Sequence, residues 1–585
     1  MLSKTFYGSH PSRQNERFVT FREACERAEE DRSRVRNVVV LPPDSGDQEV
    51  DSDVEDANDV MSSDEEVFEP AGELEVDDSE DSDDDEVEPP AKSSRTTGWR
   101  KKFQFRRNLC SDPLKKLVEL FPDLTELSPY QLWGCIFNPS ILDTIVDQTN
   151  LHARRDKNQP NFNVNHDEIR AFLGILLLSG YHRLPEEKHY WSTQPDLGVQ
   201  LVSAVMTRNK FQALKSAIHF ADNSSLPTGD KLAKIEPIYK ILNENLKKHG
   251  IFHQKLSIDE SMVPYYGRHS AKMFIRGKPI RFGYKIWAIC GNDGYPYKLK
   301  LYRGKEQNQP KLPLGTRVVN DMMSVIQSCS AVTRHEVYFD NFFTSHALLK
   351  SLAEQNIKAT GTIRENRTAG AAKLMKSNSA LKKEERGEFD FRCDGEVYVC
   401  KWNDNSIVSI ASNHETHVPF HEATRRVKRS SNVKVKQPYL VHKYNEGMGG
   451  VDLMDRLLAT YRPGIRGKKW YWPLFSNALN LSVVAAWRMH CHLVEDPLSH
   501  LEFRREVTLC LLKSVTPRAH VGQSKITELP ADIRYDGLGH NKQRCKQGRC
   551  VVCKKNARYQ CSKCLVRLHF DKGTECARNY HTESK

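Results

Sequence analysis

Lys255-Leu-Ser-Ile-Asp259 and Glu336-Val-Tyr-Phe-Asp340 are two short apolar runs, and each closes on an aspartate. Alternation along the first puts Leu256 and Ile258 on one face and Ser257 and Asp259 on the other. In the second, Val337 and Phe339 point opposite to Asp340. Two more strand patterns, 283–290 and 297–302, flank Gly291-Asn-Asp-Gly294, a strong hairpin turn. Residues 317–329 carry Val318, Val319, Met322, Met323 and Ile326 at helical spacing, and 345–355 carry Leu348, Leu349 and Leu352 on one side. A last strand spans 358–363. The order is therefore strand, hairpin pair, helix, strand, helix, strand.

That order predicts an α/β ribonuclease-H-like domain, a mixed sheet covered by helices. Upstream, 112–250 read as helical, with amphipathic stretches at 141–146, 167–178, 210–220 and 235–246. Asp167 is the expected N-cap of the second. Downstream, 388–412 read as a β-rich insertion of three strands, the first two turning at Asp394-Gly395. A basic stretch follows, with Arg425, Arg426, Lys428, Arg429, Lys434 and Lys436. Helical patterns resume at 450–461, 472–493 and 501–515. One further helix is expected at 18–36. The divisions are a disordered acidic region (1–111), a helical segment (112–254), the core (255–370), the insertion (371–440), a second helical segment (441–530) and a cysteine-rich end (541–585).

The net charge of +11 hides an asymmetry. Residues 44–88 hold 23 acids and no Lys or Arg, and should be disordered. The rest has 53 acids against 87 bases, a net of +34. A body that basic attracts polyanions, although basic surfaces also serve solubility alone. The longest apolar run, 171–178, is too short to span a bilayer. The first residues lack the apolar stretch of a secretory signal, so an intracellular protein with no membrane partner is expected. Nine of the fifteen cysteines are scattered and read as free thiols, while six fall in the last 41 residues.

Breaking a phosphodiester needs a nucleophile, a stabilised leaving oxygen and in-line geometry, which two divalent ions ~3.5–4 Å apart supply. Hard ions such as Mg²⁺ require oxygen ligands. Asp259 and Asp340 end apolar strands, where a polar residue needs a reason. Asp452 and Asp455, at i, i+3, share one face of a later helix. Simpler readings exist. Asp340-Asn341 is good turn chemistry, and Asp452 suits the positive end of a helix dipole.

Several motifs now stand in one order: Ser257-Ile-Asp-Glu-Ser-Met262, Gly277-Lys-Pro-Ile-Arg-Phe-Gly-Tyr-Lys285, Asp340-Asn-Phe-Phe-Thr-Ser345 and Tyr444-Asn-Glu-Gly-Met-Gly-Gly-Val-Asp452. Together they resemble piggyBac transposases and piggyBac transposable element-derived proteins, from about residue 115 to the C-terminus. The resemblance implies that Asp259, Asp340 and Asp452 are a catalytic triad holding two Mg²⁺ (or Mn²⁺) ions, with Asp455 as an additional active-site aspartate. It implies cut-and-paste DNA transposition at TTAA targets, a nuclear location, double-stranded DNA as partner and a homodimer. It also implies a flanking helical dimerisation/DNA-binding domain and a β-rich insertion between the second and third aspartates. The alternative is a domesticated DNA-binding or chromatin protein without mobility.

Near the third aspartate, Arg462, Arg466, Lys468 and Lys469 accompany Trp470 and Trp472, a pattern that suits phosphate contacts with base stacking. The resemblance implies one important tryptophan here. Trp470 and Trp472 both fit, with Trp470 preferred.

At the end of the chain, Cys550-x2-Cys553 and Cys561-x2-Cys564 are knuckles whose thiolate pairs each suit one Zn²⁺. His569, Cys576 and His581 bring the ligands to seven, and Cys545 or His540 would complete two tetrahedral sites. So small a segment has little apolar core and would fold largely through metal. Interleaved zinc pairs also occur in RING-type and histone-reading modules. The resemblance, with Lys542, Arg544, Lys546, Arg549, Lys554, Lys555 and Arg558, favours DNA.

Overall fold

The computed structural model describes residues 98–102, 104–194, 196–275, 278–304, 312–425, 433–513, 534–535, 539–571 and 573–582, together with 5–6 and 19–20. The acidic stretch 44–91 lies outside the described residues. Of the helix expected at 18–36, only Val19–Thr20 is described, and it pairs as a strand with Thr5–Phe6.

The first helices begin where short polar side chains accept from free backbone N–H groups. In α1 (Pro129–Ile136) Ser128 accepts from Gln131 N, with Pro129 at the first position. In α2 (Pro139–Leu151) Asn138 accepts from Ile141 N. In α3 (His166–Tyr181) the cap is Asn165, not Asp167, because Asn165 and Glu168 exchange bonds in a capping box. Thr207 starts α4 (Arg208–Ala217), and α5 (Glu236–Lys247) follows.

The sheet then begins. Strand β1 (Lys255–Pro264) runs antiparallel to β2 (Phe282–Gly291), which turns through Gly294, at φ +91, into β3 (Pro296–Leu301). Helix α6 (Leu314–Cys329) crosses to β4 (Glu336–Phe339), parallel to β1. Helix α7 (His346–Glu354) crosses to β5 (Lys358–Thr362), parallel to β4. The lateral order is β3-β2-β1-β4-β5, with β1 and β4 central. The apolar faces of β1 and β4 are buried, and Leu256, Ile258, Val337 and Phe339 are solvent-inaccessible. The free edge of β3 is met by α5. Asn243 Nδ2 donates to Leu299 O and Asn243 Oδ1 accepts from Leu299 N, both at 2.8 Å.

The expected insertion is not a separate sheet. Strands β6 (Phe389–Cys393), β7 (Tyr398–Asn403) and β8 (Ile407–Ser412) continue the core sheet, because β8 pairs antiparallel with β5, Ile410 opposite Thr362. Left alone, β5 would present a row of unpaired N–H and C=O groups, and β8 covers them. A hairpin of β9 (His421–Arg425) and β10 (Val433–Gln437) lies against β7, where Trp402 Nε1 donates to Lys436 O at 2.9 Å. Residues 98–102 and 104–111, expected within the disordered region, are also described. Arg100 and Cys393 exchange N–H···O bonds of 2.8 and 2.9 Å, adding a bridge to β6.

Helix α8 (Tyr439–Gly447) leads to α9 (Gly450–Thr460), α10 (Trp472–Leu493) and α11 (His500–Lys513). Helix α10 is apolar nearly all round and is buried among the early helices, where Trp133 Nε1 donates to Ser482 Oγ at 2.9 Å. Gly174 of α3 lets α11 approach, since a Cβ there would lie 2.8 Å from Leu512 Cδ2. The two helical segments, far apart in sequence, thus share one core. No described helix is long and apolar enough to cross a membrane.

Gly450 allows α9 to lie on the sheet, because a Cβ there would meet Gly291 O at 2.3 Å and Ser257 Oγ at 2.6 Å. Gly450→Ala is expected to lower the midpoint of thermal unfolding by calorimetry. Gly449→Ala, with nothing within 4 Å of its Cβ position, is expected to leave it unchanged.

Candidate active site and metal centres

The parallel register Ile258↔Phe339 carries Asp259 and Asp340 to adjacent positions at the ends of the two central strands. Neighbouring strands lie ~4.8 Å apart, so the two carboxyl groups start from adjacent backbones. Ser257, Asp259 and Ser261 share one face of β1. Both serines touch α9. Ser257 Oγ accepts from Val451 N at 3.2 Å, supplying a cap that Gly449 cannot. Ser261 Oγ donates to Asp455 Oδ1 at 2.5 Å. Asp259 sits between these contacts, and Asp452 sits between their partners on the helix.

The electrostatics agree with that proximity. Burial, then the charge of Glu260, push the Asp259 carboxyl up to about 8, with Lys278 opposing them and Asp340 adding a smaller push. Burial and Glu260 raise Asp340 as well. Burial raises Asp455 to about 6, with Asp452 adding to it and Ser261, Lys278 and Arg462 opposing it. Lys278 is half-buried, yet Asp259, Glu260 and Asp452 keep it strongly cationic, and it pairs with Glu260 Oε1 at 2.9 Å. The Tyr444 hydroxyl is raised by burial and then by Asp340, Asp259 and Asp452 together. Glu260, Ser261, Lys278 and Tyr444 were not singled out from the sequence, although all four stand inside the quoted motifs.

Asp259, Asp340 and Asp452 do not gather as one single-ion set with all ligand atoms within 4.8 Å of one another. A pair of ions ~3.5–4 Å apart does not require that, because outer carboxylates then serve different ions. The donor set fits hard divalent cations, being all oxygen with excess negative charge that Lys278 and Arg462 only partly offset. Asp340 also serves its turn, accepting from Phe342 N at 3.0 Å.

The basic and aromatic candidates divide. Trp472 is buried, donates to Ile465 O at 3.0 Å and packs on Phe172, so it is a core residue and not a stacking platform. Lys469 also turns inward, donating to Ile218 O at 2.7 Å. Arg462 faces Asp455. Arg466 and Lys468 are exposed, and Trp470 is half-buried, stacked on His269 with centroids 4.2 Å apart. Tyr266, which stands in none of the quoted motifs, is 78% exposed and lies close enough to Arg462 to interact with it electrostatically.

In the C-terminal segment, β11 (Lys542–Arg549) and β12 (Asn556–Cys561) form a hairpin, and α12 (Cys576–His581) closes it. The Cys and His ligands fall into two sets: Cys550, Cys553, His569 and Cys576; and His540, Cys561, Cys564 and His581. His540, not Cys545, is the eighth member. The sets interleave along the chain. Their contacts run from 3.3 Å (His540 Nδ1 to Cys561 Sγ, and Cys564 Sγ to His581 Nε2) to 3.4 Å (Cys553 Sγ to His569 Nδ1). Ligands of a tetrahedral zinc lie ~3.6 Å apart. The second shell fits too. His569 Nε2 faces Asn556 O at 2.9 Å and His581 Nδ1 faces Ala577 O at 2.8 Å. A carbonyl only accepts, so these nitrogens carry the proton and the others are free for metal. Lys542, Arg544, Lys546, Arg549, Lys554, Lys555 and Arg558 are all exposed.

Residues 128–487 match a family model described as "Transposase IS4". Human PiggyBac transposable element-derived protein 3 is 37% identical over 462 residues, 78% of this chain and 76% of the relative. The chain belongs to the piggyBac transposase family. Human PiggyBac transposable element-derived protein 2 is 32% identical over 517 residues, 86% of this chain and 85% of the relative. A solved piggyBac transposase synaptic complex with hairpin DNA aligns with a TM-score of 0.58 and 20% identity, over 75% of this chain and 96% of that one. The mixed α/β sheet therefore has a piggyBac fold, and membership implies dependence on a divalent metal.

Two outcomes follow from this geometry. His540→Ala should lower the zinc content of the purified chain by elemental analysis, while Cys545→Ser leaves it unchanged. Trp472→Ala should destabilise the chain by about 3–5 kcal/mol and lower its thermal midpoint, while Trp470→Ala leaves the midpoint near that of the unsubstituted chain.

Proposed function

We propose that this chain is a piggyBac-type DNA transposase that hydrolyses and then transesterifies phosphodiesters at element ends and TTAA targets. The observation that carries the reading is the meeting of Asp259 and Asp340, on adjacent parallel strands, with the α9 face that bears Asp452 and Asp455. The lateral order β3-β2-β1-β4-β5, with the aspartates on the central pair, supports a ribonuclease-H-like core. Bound at these carboxylates, two Mg²⁺ or Mn²⁺ ions would supply a nucleophile at neutral pH and stabilise the leaving oxygen. The chain's own residues do the rest. Asp259, Asp340 and Asp452 hold the cations, while Ser257 and Ser261 fix the helix that brings Asp452 to the strands. Lys278 moderates the negative charge before DNA arrives.

Arg466, Lys468, Trp470 and Tyr266 form the adjoining surface, offering cations to phosphates and rings to unpaired bases. The C-terminal domain, holding two Zn²⁺ ions, presents seven basic side chains for duplex DNA at the element ends. In this reading the protein works in the nucleus as a homodimer. A second reading is a DNA-binding protein without mobility. It is favoured by the two human relatives, whose names describe them as derived from a transposable element.

Asp340→Asn is expected to abolish Mg²⁺-dependent cleavage of labelled terminal-repeat DNA while leaving its affinity within about twofold. Full cleavage by the variant overturns the carboxylate assignment. Binding without cleavage by the unsubstituted chain favours the second reading.

A further inference from the structure

Away from the carboxylates and the C-terminal domain, a third group of metal-competent side chains converges. His253 lies in the loop before β1, Asp293 in the β2–β3 turn and His492 in the last turn of α10. His253 Nε2 is 2.9 Å from Asp293 Oδ1, and His492 Nε2 is 3.0 Å from Asp293 Oδ2. The two Nε2 atoms are 3.1 Å apart. The imidazole planes cross at 89° with centroids 4.8 Å apart, so the rings present their edges to one point from different directions.

We propose that His253, Asp293 and His492 form a further metal site in this chain, binding one Zn²⁺ ion with a water in the fourth position. Ligand nitrogens ~2.0–2.1 Å from a tetrahedral zinc lie ~3.3 Å from one another, close to the spacings here. Two imidazoles and one carboxylate are borderline donors that suit zinc, whereas Mg²⁺ or Ca²⁺ would require more oxygen. The surroundings fit a built site. Tyr297 Oη lies 2.6 Å from His253 Nδ1, so the hydroxyl orients the ring and leaves Nε2 to face the other ligands. The Tyr297 hydroxyl is itself held by Phe252 N at 3.0 Å. Strand β2 ends in Gly291 where the ring sits, and a Cβ there would come within 2.5 Å of the His253 ring. His253 is 4% exposed and His492 35%, so the site is closed by protein on one side and open to water on the other.

An ion here joins three elements around the active site's framework. These are the lead into β1, the hairpin under α9 and the end of α10. The hairpin is in contact with α9, since a Cβ at Gly294 would lie 3.1 Å from Met454 N. The site is structural, tying the lead into the strand of Asp259 and the β2–β3 turn to the end of α10.

The test is zinc analysis of the full-length chain after its cysteine thiols are blocked with an organomercurial and released metal is removed by gel filtration. Zinc held by the C-terminal cysteines leaves, and one ion per chain is expected to remain. That ion should be lost in His492→Gln and in Asp293→Asn but retained in Asp340→Asn. No remaining zinc in the unsubstituted chain overturns the proposal and makes the three side chains a hydrogen-bonded cluster only. Remaining zinc that survives His492→Gln overturns it as well, and its loss with Asp340→Asn instead assigns it to the carboxylates. The amount released by thiol blocking reports separately on the C-terminal reading.

Discussion

Two serine hydroxyls on one face of β1 hold α9 against the sheet, and the candidate active site depends on that clasp. Ser257 accepts the Val451 N–H that the helix leaves without an internal partner, and Ser261 donates to Asp455. Between the serines stands Asp259, and the helix brings Asp452 to the same place. Both contacts need close approach of helix and sheet, which the missing side chain of Gly450 permits. Carboxylates separated by almost two hundred residues are thereby aligned by short polar side chains with few rotamers.

The arrangement is electrostatically costly without a cation. Burial and neighbouring negative charge drive Asp259 and Asp455 upward, and Lys278 relieves only part of this. Folding therefore maintains a strained charge distribution that a pair of divalent ions would neutralise. The C-terminal sets state the same logic in softer ligands. Burial and the adjacent Cys561 push the Cys564 thiol up to about 12.

Much of the core was legible in the sequence because period and turn chemistry act locally. The runs ending at Asp259 and Asp340, the Asn-Asp-Gly turn and the Met322/Met323 helix needed no distant information. Lateral pairing is a different matter. Nothing local in residues 407–412 says that they complete the edge of β5, so they read only as the third strand of an insertion. Trp472 shows the same limit. A tryptophan among lysines reads as a DNA contact until tertiary packing turns it onto Phe172. The eighth ligand of the cysteine-rich end was open between Cys545 and His540 for a similar reason, because only tertiary packing brings His540 beside Cys561, Cys564 and His581. Asp167 lost its capping role to Asn165 by two positions, a margin that propensity alone does not resolve.

The continuity of β5 with β8 bears on how this protein could have been assembled. An inserted module that folds on its own can be removed as a cassette, leaving its host intact. Here the host strand borrows its last hydrogen-bonding neighbour from the insert, whose three antiparallel strands continue the host's sheet. Excising the intervening residues would leave an adhesive edge prone to self-association. Host and insert are thus one continuous sheet, whose loops at the tips of β6 to β8 tolerate shortening better than its strands do.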